Sequence, residues 1–143
     1  MKPAMTLEQI YLFWTALLVA SLWLPPAIGR FMHRGLPTRE DYRAGRAIGE
    51  MDDLPDWVRR ANRAHLNLVE QFGPFAALVL LAGLLGVTSD LMGLAAMVFF
   101  WARVLHALVM LSGISRFYIR SWIFAVAWGA ILAIAFDIAY QLS

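Results

Sequence analysis

The 143-residue chain suits one domain, and 61% of its residues are hydrophobic while 15% are charged. This composition excludes an ordinary soluble domain, in which roughly a quarter of the residues are charged, and the mean hydropathy of +0.64 indicates that lipid surrounds the chain. The formal net charge is only +2, and we expect no nucleic acid partner. Because the chain has no cysteine, any thiol chemistry must come from a ligand.

Four apolar segments predict an all-α integral membrane protein, a four-helix bundle that forms one domain over residues 1–143. Each segment approaches the ~20 residues that a helix needs to cross ~30 Å of hydrocarbon. We expect Pro25 and Pro26 to bend or end the first helix, and Asp56 and Asp90 to cap the second and third. The predicted helices cover residues 7–28, 56–86, 90–111 and 121–140, with a polar loop at 29–55.

Arginines in the loops predict the orientation, since short loops rich in Arg and Lys stay on the cytoplasmic side. The first loop includes Arg30 and Arg34, and the third includes Arg116 and Arg120, whereas the second has no basic residue. We therefore expect loops one and three in the cytoplasm and both termini on the outer face. In a bacterium this would be the inner membrane.

A polar stripe with spacings of four, four and three residues enters the membrane on the second helix, and it consists of Arg59, Arg63, Asn67 and Glu70. An unpaired carboxylate at that depth costs at least ~2.5 kcal/mol, so Glu70 should face a partner or a cavity. Arg103 on the third helix lies at a similar depth, and His106 follows one turn later. An ion pair between Glu70 and Arg103 is the simplest interpretation, and it would serve either ligand binding or helix register.

Arg120 and Ser121 stand at the start of the fourth helix, close to this stripe. By spacing alone, such an arginine is more often an interface anchor than a ligand-binding group. His33 and His65 have no second ligand at helical spacing, and we expect no metal site.

Several of these residues fall in segments that resemble the MAPEG family, the membrane-associated proteins of eicosanoid and glutathione metabolism. The segments are RAHLNLVE at 63–70, FGPF at 72–75, ARVLH at 102–106 and IRS at 119–121, with Arg30 matching a basic residue after the first helix. The likeness covers nearly the whole chain. It implies a homotrimer that binds glutathione between subunits, near the cytoplasmic face.

The resemblance also implies roles for individual residues. Arg30, Arg63 and Arg120 would hold the two carboxylates of glutathione, while Asn67 and Glu70 would take its amide and amine groups. Arg103 and His106 would contribute to the pocket or support it.

The implied chemistry is the formation of a thiolate, for which Arg120 and the Ser121 hydroxyl are the candidates. Lowering the pKa of a thiol by two units needs ~2.7 kcal/mol of preferential anion stabilisation. The thiolate would then attack a hydrophobic electrophile arriving from the lipid, or reduce a peroxide. Membrane lipid and the electrophile are therefore expected partners beside glutathione.

Two departures from the family pattern leave other functions open. Met110 stands where some members have a tyrosine that reaches the ligand, and Leu66 replaces a basic residue of some members. A glutathione transferase or peroxidase is the first hypothesis, and a non-catalytic lipid-binding or scaffold protein of the same fold is the alternative. A proton-coupled exporter that uses Glu70 ranks last, because the arginine bias of two loops argues against dual topology.

Overall fold

A computed structural model describes residues 4–44, 51–114 and 118–143. The regular structure in those ranges is entirely helical, and four helical stretches are long and apolar enough to cross a membrane. This confirms the predicted all-α membrane bundle. The helices are α1 (Leu7–Leu22), α2 (Leu24–Arg34), α3 (Arg39–Arg43), α4 (Asp56–Leu85), α5 (Asp90–Ser112) and α6 (Ile119–Leu142).

The first membrane span consists of α1 and α2, which are separated at Trp23. Pro25 and Pro26 follow in the first turn of α2. Proline lacks a backbone N–H, but the N–H groups of a first helical turn have no intrahelical acceptor, so the two prolines divide the span without ending it. Helix α2 continues to Arg34 and stops at Gly35, whose φ of 71° suits glycine. The span is therefore longer than the predicted 7–28, and the loop begins later than residue 29.

Helix α4 is the longest element, and its 30 residues extend about 45 Å at 1.5 Å per residue. Since hydrocarbon accounts for only about 30 Å, the first turns of α4 reach beyond the lipid. The predicted capping role of Asp56 is wrong, because Pro55 occupies the cap position and Asp56 instead forms a salt bridge with Arg59.

Helices α5 and α6 begin and end close to the predicted bounds. The predicted cap at Asp90 is wrong, because the Ser89 hydroxyl accepts the hydrogen bond from the Met92 backbone N–H at 3.0 Å. Helix α6 begins two residues before the predicted start and ends two residues after the predicted end. Tyr118, which precedes the helix, has a left-handed backbone conformation.

The core lies where α4, α5 and α6 meet. Phe75 of α4 stacks on Phe99 of α5 with ring centroids 4.1 Å apart, and neither side chain is exposed. Ala96 and Ala127 are also fully buried, and such small residues let α5 and α6 approach closely. Against α4, Gly29 of α2 packs so tightly that an added Cβ would lie 2.5 Å from the side chain of Val58.

The two ends of the bundle differ in their polar residues. The termini end, where α1 and α5 begin and α4 and α6 end, holds the buried carboxylates of Glu8 and Asp137. Each carboxylate accepts a hydrogen bond from a neighbouring hydroxyl, Glu8 from Thr88 at 2.9 Å and Asp137 from Ser89. The arginine-rich end, where α2 and α5 end and α4 and α6 begin, holds most of the residues predicted to bind a ligand.

Candidate functional site

A groove of about 460 Å³ lies at the arginine-rich end, between α4, α5 and α6. Among the described residues, its lining includes two arginines and no carboxylate, so the groove is suited to an anionic ligand. Five of the predicted site residues line it together. The described lining residues are Arg63, Asn67, His106, Met110, Arg120, Ser121 and Phe124.

Helix α4 contributes Arg63 and Asn67, which lie beside the face of α4 that packs into the core. Ala64 and Leu68 are each only 1% exposed, and the residues one position earlier on the helix therefore lie at the edge of the bundle. The Asn67 amide donates a hydrogen bond to the Arg63 carbonyl oxygen at 2.9 Å, which fixes the side chain along the helix. Arg63 itself is exposed.

Helix α5 contributes His106 and Met110, which are one turn apart and both almost fully buried. The His106 ring lies 6.5 Å from the ring of Phe124 on α6. The His106 Nδ1 atom is buried and has no hydrogen-bond partner in the described ranges. An orphaned polar atom beside a groove is a feature that a ligand or an ordered water would satisfy.

Helix α6 contributes Arg120 and Ser121 from its first turn. Arg120 Nη1 donates to the Sδ atom of Met110 at 3.5 Å, a weak contact that a stronger acceptor would replace. The first turn of a helix also carries partial positive charge, so the backbone and Arg120 both favour an anion here.

The predicted ion pair between Glu70 and Arg103 is wrong. Arg103 is 1% exposed and donates from Nη1 to Gln71 Oε1 at 3.1 Å, whereas Glu70 is exposed and no salt bridge joins these two residues. The Glu70 carboxylate is near enough to attract the Arg103 guanidinium, but without direct contact. Successive helical residues point about 100° apart, so Gln71, and not Glu70, faces α5.

Arg103 lies behind the groove and not in its lining. Its guanidinium is 5.9 Å from the centroid of the Phe124 ring, and its Nε and Nη2 atoms are buried with no hydrogen-bond partner in the described ranges. The Gln71 amide also donates to the Phe124 carbonyl oxygen at 3.4 Å. Gln71 therefore links α4, α5 and α6 directly beneath the groove.

Arg30 lies in a different cavity. Its Nη2 atom donates to Asn62 Oδ1 of α4 at 3.1 Å, and it does not line the groove of this chain. Glu70 is likewise absent from the lining, although Asn67 of the same stripe is present. The structure thus brings Arg63, Asn67, His106, Arg120 and Ser121 together, and leaves Arg30, Glu70 and Arg103 outside.

Gln71 and Phe124 were missed in the sequence. Gln71 adjoins the charged stripe, but an uncharged amide does not stand out as a charge does. Phe124 contributes through its ring and its backbone carbonyl, and neither contribution has a sequence signal.

The sequence and structure were compared with protein-family models, curated proteins and solved structures, and the family models gave a match. No curated protein and no solved structure matches the chain. A model of the MAPEG family matches residues 10–140, which is nearly the whole of the 143-residue chain and includes every residue that lines the groove. The chain therefore belongs to the MAPEG family, the membrane proteins of eicosanoid and glutathione metabolism.

Proposed function

We propose that the protein is a membrane-bound glutathione-dependent transferase or peroxidase that acts on hydrophobic electrophiles. The observation that carries the proposal is the groove itself. Arg63 and Arg120 line it with Asn67, His106 and Ser121, and no acid lines it in the part of the chain that the structure describes. Glutathione has two carboxylates, one amine and a thiol, so two arginines with polar neighbours match its anionic character.

In this proposal Arg120 stabilises the thiolate. Arg120 stands in the first turn of α6, where the helix adds partial positive charge, and its only described polar contact is the weak one to Met110. The Ser121 hydroxyl lies beside it and can donate a hydrogen bond to the sulfur anion. Favouring the anion lowers the pKa of the thiol, so more of the nucleophile is present at neutral pH.

The reaction would proceed in one of two ways. The glutathione sulfur can form a bond to an electrophilic carbon as a leaving group departs with the bonding electron pair. Alternatively, the sulfur attacks a peroxide oxygen, and the O–O bond breaks to release an alcohol and leave glutathione as a sulfenic acid. A second glutathione then forms the disulfide with it and releases water. In both cases the substrate is apolar and would reach the groove from the surrounding lipid.

Glu70, Arg103 and Arg30 take less direct parts in the proposal. Arg103 and Gln71 would support the groove from behind, through the contacts with Phe124. Glu70 is exposed on the single chain and could take the glutathione amine only at the margin of the groove or across a subunit boundary. Arg30 could reach glutathione only in the groove of a neighbouring subunit. We propose a homotrimer, with the arginine-rich end facing the cytoplasm.

The proposal is tested by adding glutathione to purified protein in detergent and measuring thiolate absorbance in the ultraviolet. We expect absorbance in the wild type and none in Arg120→Ala. Conjugation would be assayed in parallel with a panel of apolar electrophiles. A wild type that forms no thiolate and conjugates none of the electrophiles would contradict the enzymatic function.

Met110 favours a second candidate, a non-catalytic lipid-binding or scaffold protein. Met110 supplies the groove with a thioether, a much poorer hydrogen-bonding group than the tyrosine hydroxyl that some members of the family have. Native mass spectrometry separates the two functions. Bound lipid that millimolar glutathione fails to displace, together with absent conjugation, would favour this candidate.

A further inference from the structure

Met110 places an oxidisable sulfur atom inside the groove. The residue is only 5% exposed, yet it lines the groove, and its Sδ atom lies 3.5 Å from Arg120 Nη1. The other methionines of the described ranges do not line the groove. Met5 and Met32 are well exposed, whereas Met92 is fully buried. Met110 is thus the described methionine whose sulfur is sheltered by the bundle and also in contact with a cation.

A thioether sulfur reacts with a hydroperoxide by a two-electron transfer of oxygen. The sulfur lone pair attacks the terminal peroxide oxygen, a sulfur–oxygen bond forms as the oxygen–oxygen bond breaks, and the proton of the terminal oxygen passes to the departing alkoxide. The products are methionine sulfoxide and an alcohol, so the sulfur is oxidised and the peroxide is reduced. At Met110, the Arg120 guanidinium and the Ser121 hydroxyl can donate hydrogen bonds to the departing oxygen, which stabilises its negative charge.

The sulfoxide would bind Arg120 more strongly than the thioether does. A thioether is a weak acceptor, whereas the sulfoxide is polar, and a hydrogen bond from a charged donor is roughly twice as strong as a neutral one. The new oxygen is one bond away from the sulfur, so it can reach Nη1, 3.5 Å from the sulfur, at the ~2.9 Å of an ordinary hydrogen bond. Oxidation would therefore occupy the arginine that an anionic ligand needs.

We propose that Met110 is a site of oxidation by organic hydroperoxides that enter the groove from the lipid, and that its sulfoxide prevents anion binding by holding Arg120. The oxidation itself does not depend on the function proposed above, but the resulting loss of glutathione binding rests on it. A bound ligand would cover the sulfur, because Met110 lines the groove. Met110 is therefore most open to a peroxide when the groove is empty.

Peptide mapping by mass spectrometry tests the oxidation. Purified protein in detergent, without glutathione, is treated with cumene hydroperoxide, and the oxygen added to each methionine is followed over time. We expect Met110 to react within about threefold of the rate of the exposed Met32, and at least about tenfold faster than the fully buried Met92. A Met110 that reacts as slowly as Met92 would overturn the proposal.

The arginine-selective reagent phenylglyoxal tests whether the sulfoxide holds Arg120, which is exposed before oxidation. We expect Arg120 to be modified at least about fivefold more slowly in the oxidised protein, while Arg59, outside the groove, reacts as before. Met32→Leu should show the same slowing as the wild type, and Met110→Leu should show none. Slowing that follows the time course of Met110 oxidation, and not that of Met32, gives the same answer if Met110→Leu does not fold. Unchanged reactivity of Arg120 after complete oxidation of Met110 would contradict the proposal.

Calorimetric titration with glutathione separates this inference from the proposed function. If both are correct, the oxidised protein should bind glutathione at least about tenfold more weakly than the untreated protein. If glutathione binds neither form while oxidation still slows the labelling of Arg120, the proposed function is wrong and the inference stands. If glutathione binds both forms equally when Met110 is fully oxidised, the inference is wrong and the proposed function stands.

Discussion

The two ends of the bundle differ in how their buried ionisable side chains are satisfied. At the termini end, the Glu8 and Asp137 carboxylates each accept at least one hydrogen bond from a neighbouring side chain, and Asp137 accepts a second from Gln141 at 3.1 Å. At the arginine-rich end, Arg103 and His106 are equally well buried but keep nitrogen atoms with no partner in the described ranges.

This difference separates a structural cluster from a binding site. Buried polar groups that satisfy one another join helices and leave nothing for a ligand to bind. Buried groups that remain unsatisfied beside a groove lower the stability of the protein unless a ligand or water completes them. We therefore expect substitutions at the termini end to change stability, and those at the arginine-rich end to change ligand binding and activity.

The largest effect is expected for Arg120→Ala, which removes the cation in the first turn of α6. If Arg120 lowers the pKa of the glutathione thiol by two units, from ~8.5 to ~6.5, its loss should reduce the thiolate fraction at pH 7 from about three quarters to about 3%, which is roughly 25-fold. Thiolate absorbance and the initial rate of conjugation would measure this change.

Arg59→Ala is the matched control, because Arg59 lies on α4 near the same end and Asp56 is its only salt-bridge partner among the described residues. It should retain the activity of the wild type. If Arg59→Ala and Arg120→Ala lose activity equally, the activity depends on the net charge at this end of the bundle. The prediction of a specific role for Arg120 would then be wrong.

Next in size is the effect of Ser89→Ala at the termini end. Ser89 caps α5 through the Met92 N–H and also donates to the buried Asp137. Loss of the cap should cost about 1 kcal/mol, and loss of the carboxylate's donor at least about 1 kcal/mol more. Thermal unfolding in detergent should show this destabilisation, while the affinity for glutathione stays unchanged.

Ser112→Ala provides the comparison, since Ser112 is exposed and its side chain donates, among the described groups, only to the Val109 carbonyl oxygen. Its unfolding should match that of the wild type. A large loss of glutathione affinity in Ser89→Ala would contradict the division between the two ends.

A smaller effect is expected for Gln71→Leu, which leaves the buried Arg103 without its described hydrogen-bond acceptor and removes the link to Phe124. Both contacts lie behind the groove, so we expect glutathione affinity to fall several-fold and stability to fall by about 1 kcal/mol. Gln71→Glu should restore the bond to Arg103 and much of the affinity. Calorimetric titration with glutathione would measure both variants, and unchanged affinity in Gln71→Leu would limit Gln71 to helix packing.

The sequence predicted the bundle well because its signals were strong. Apolar segments of membrane length marked the four helices, and arginines at helical spacing within them marked the region of the groove. Arg63 and Asn67 on α4, and Arg120 and Ser121 on α6, do line one groove, although the identity of its ligand stays a prediction.

The errors concern choices between neighbouring residues. Asp90 and Ser89 are both good helix caps, and only the backbone decides that Ser89 takes the position. Glu70 was preferred to Gln71 as the partner of Arg103 because opposite charges attract, but the rotation of α4 turns the amide toward α5. The continuation of α2 from residue 29 to Arg34 was missed because proline interrupts a helix in its interior yet is tolerated in its first turn, where Pro25 and Pro26 lie.

The smallest effect is expected for Met110→Tyr, which tests how far the groove depends on its weakest contact. The one described hydrogen-bond acceptor of Arg120 is the thioether sulfur of Met110, which lies 3.5 Å from Arg120 Nη1. A tyrosine hydroxyl can both donate and accept, so it could bond Arg120 or a glutathione oxygen, and one added hydrogen bond contributes about 1 kcal/mol. We expect glutathione affinity to rise about fivefold in a calorimetric titration, while Met110→Leu, of similar volume and without the sulfur, should change it little. Weaker binding in Met110→Tyr with unchanged thermal stability would mean that the groove needs the room that methionine leaves, and that glutathione lies against Met110 itself.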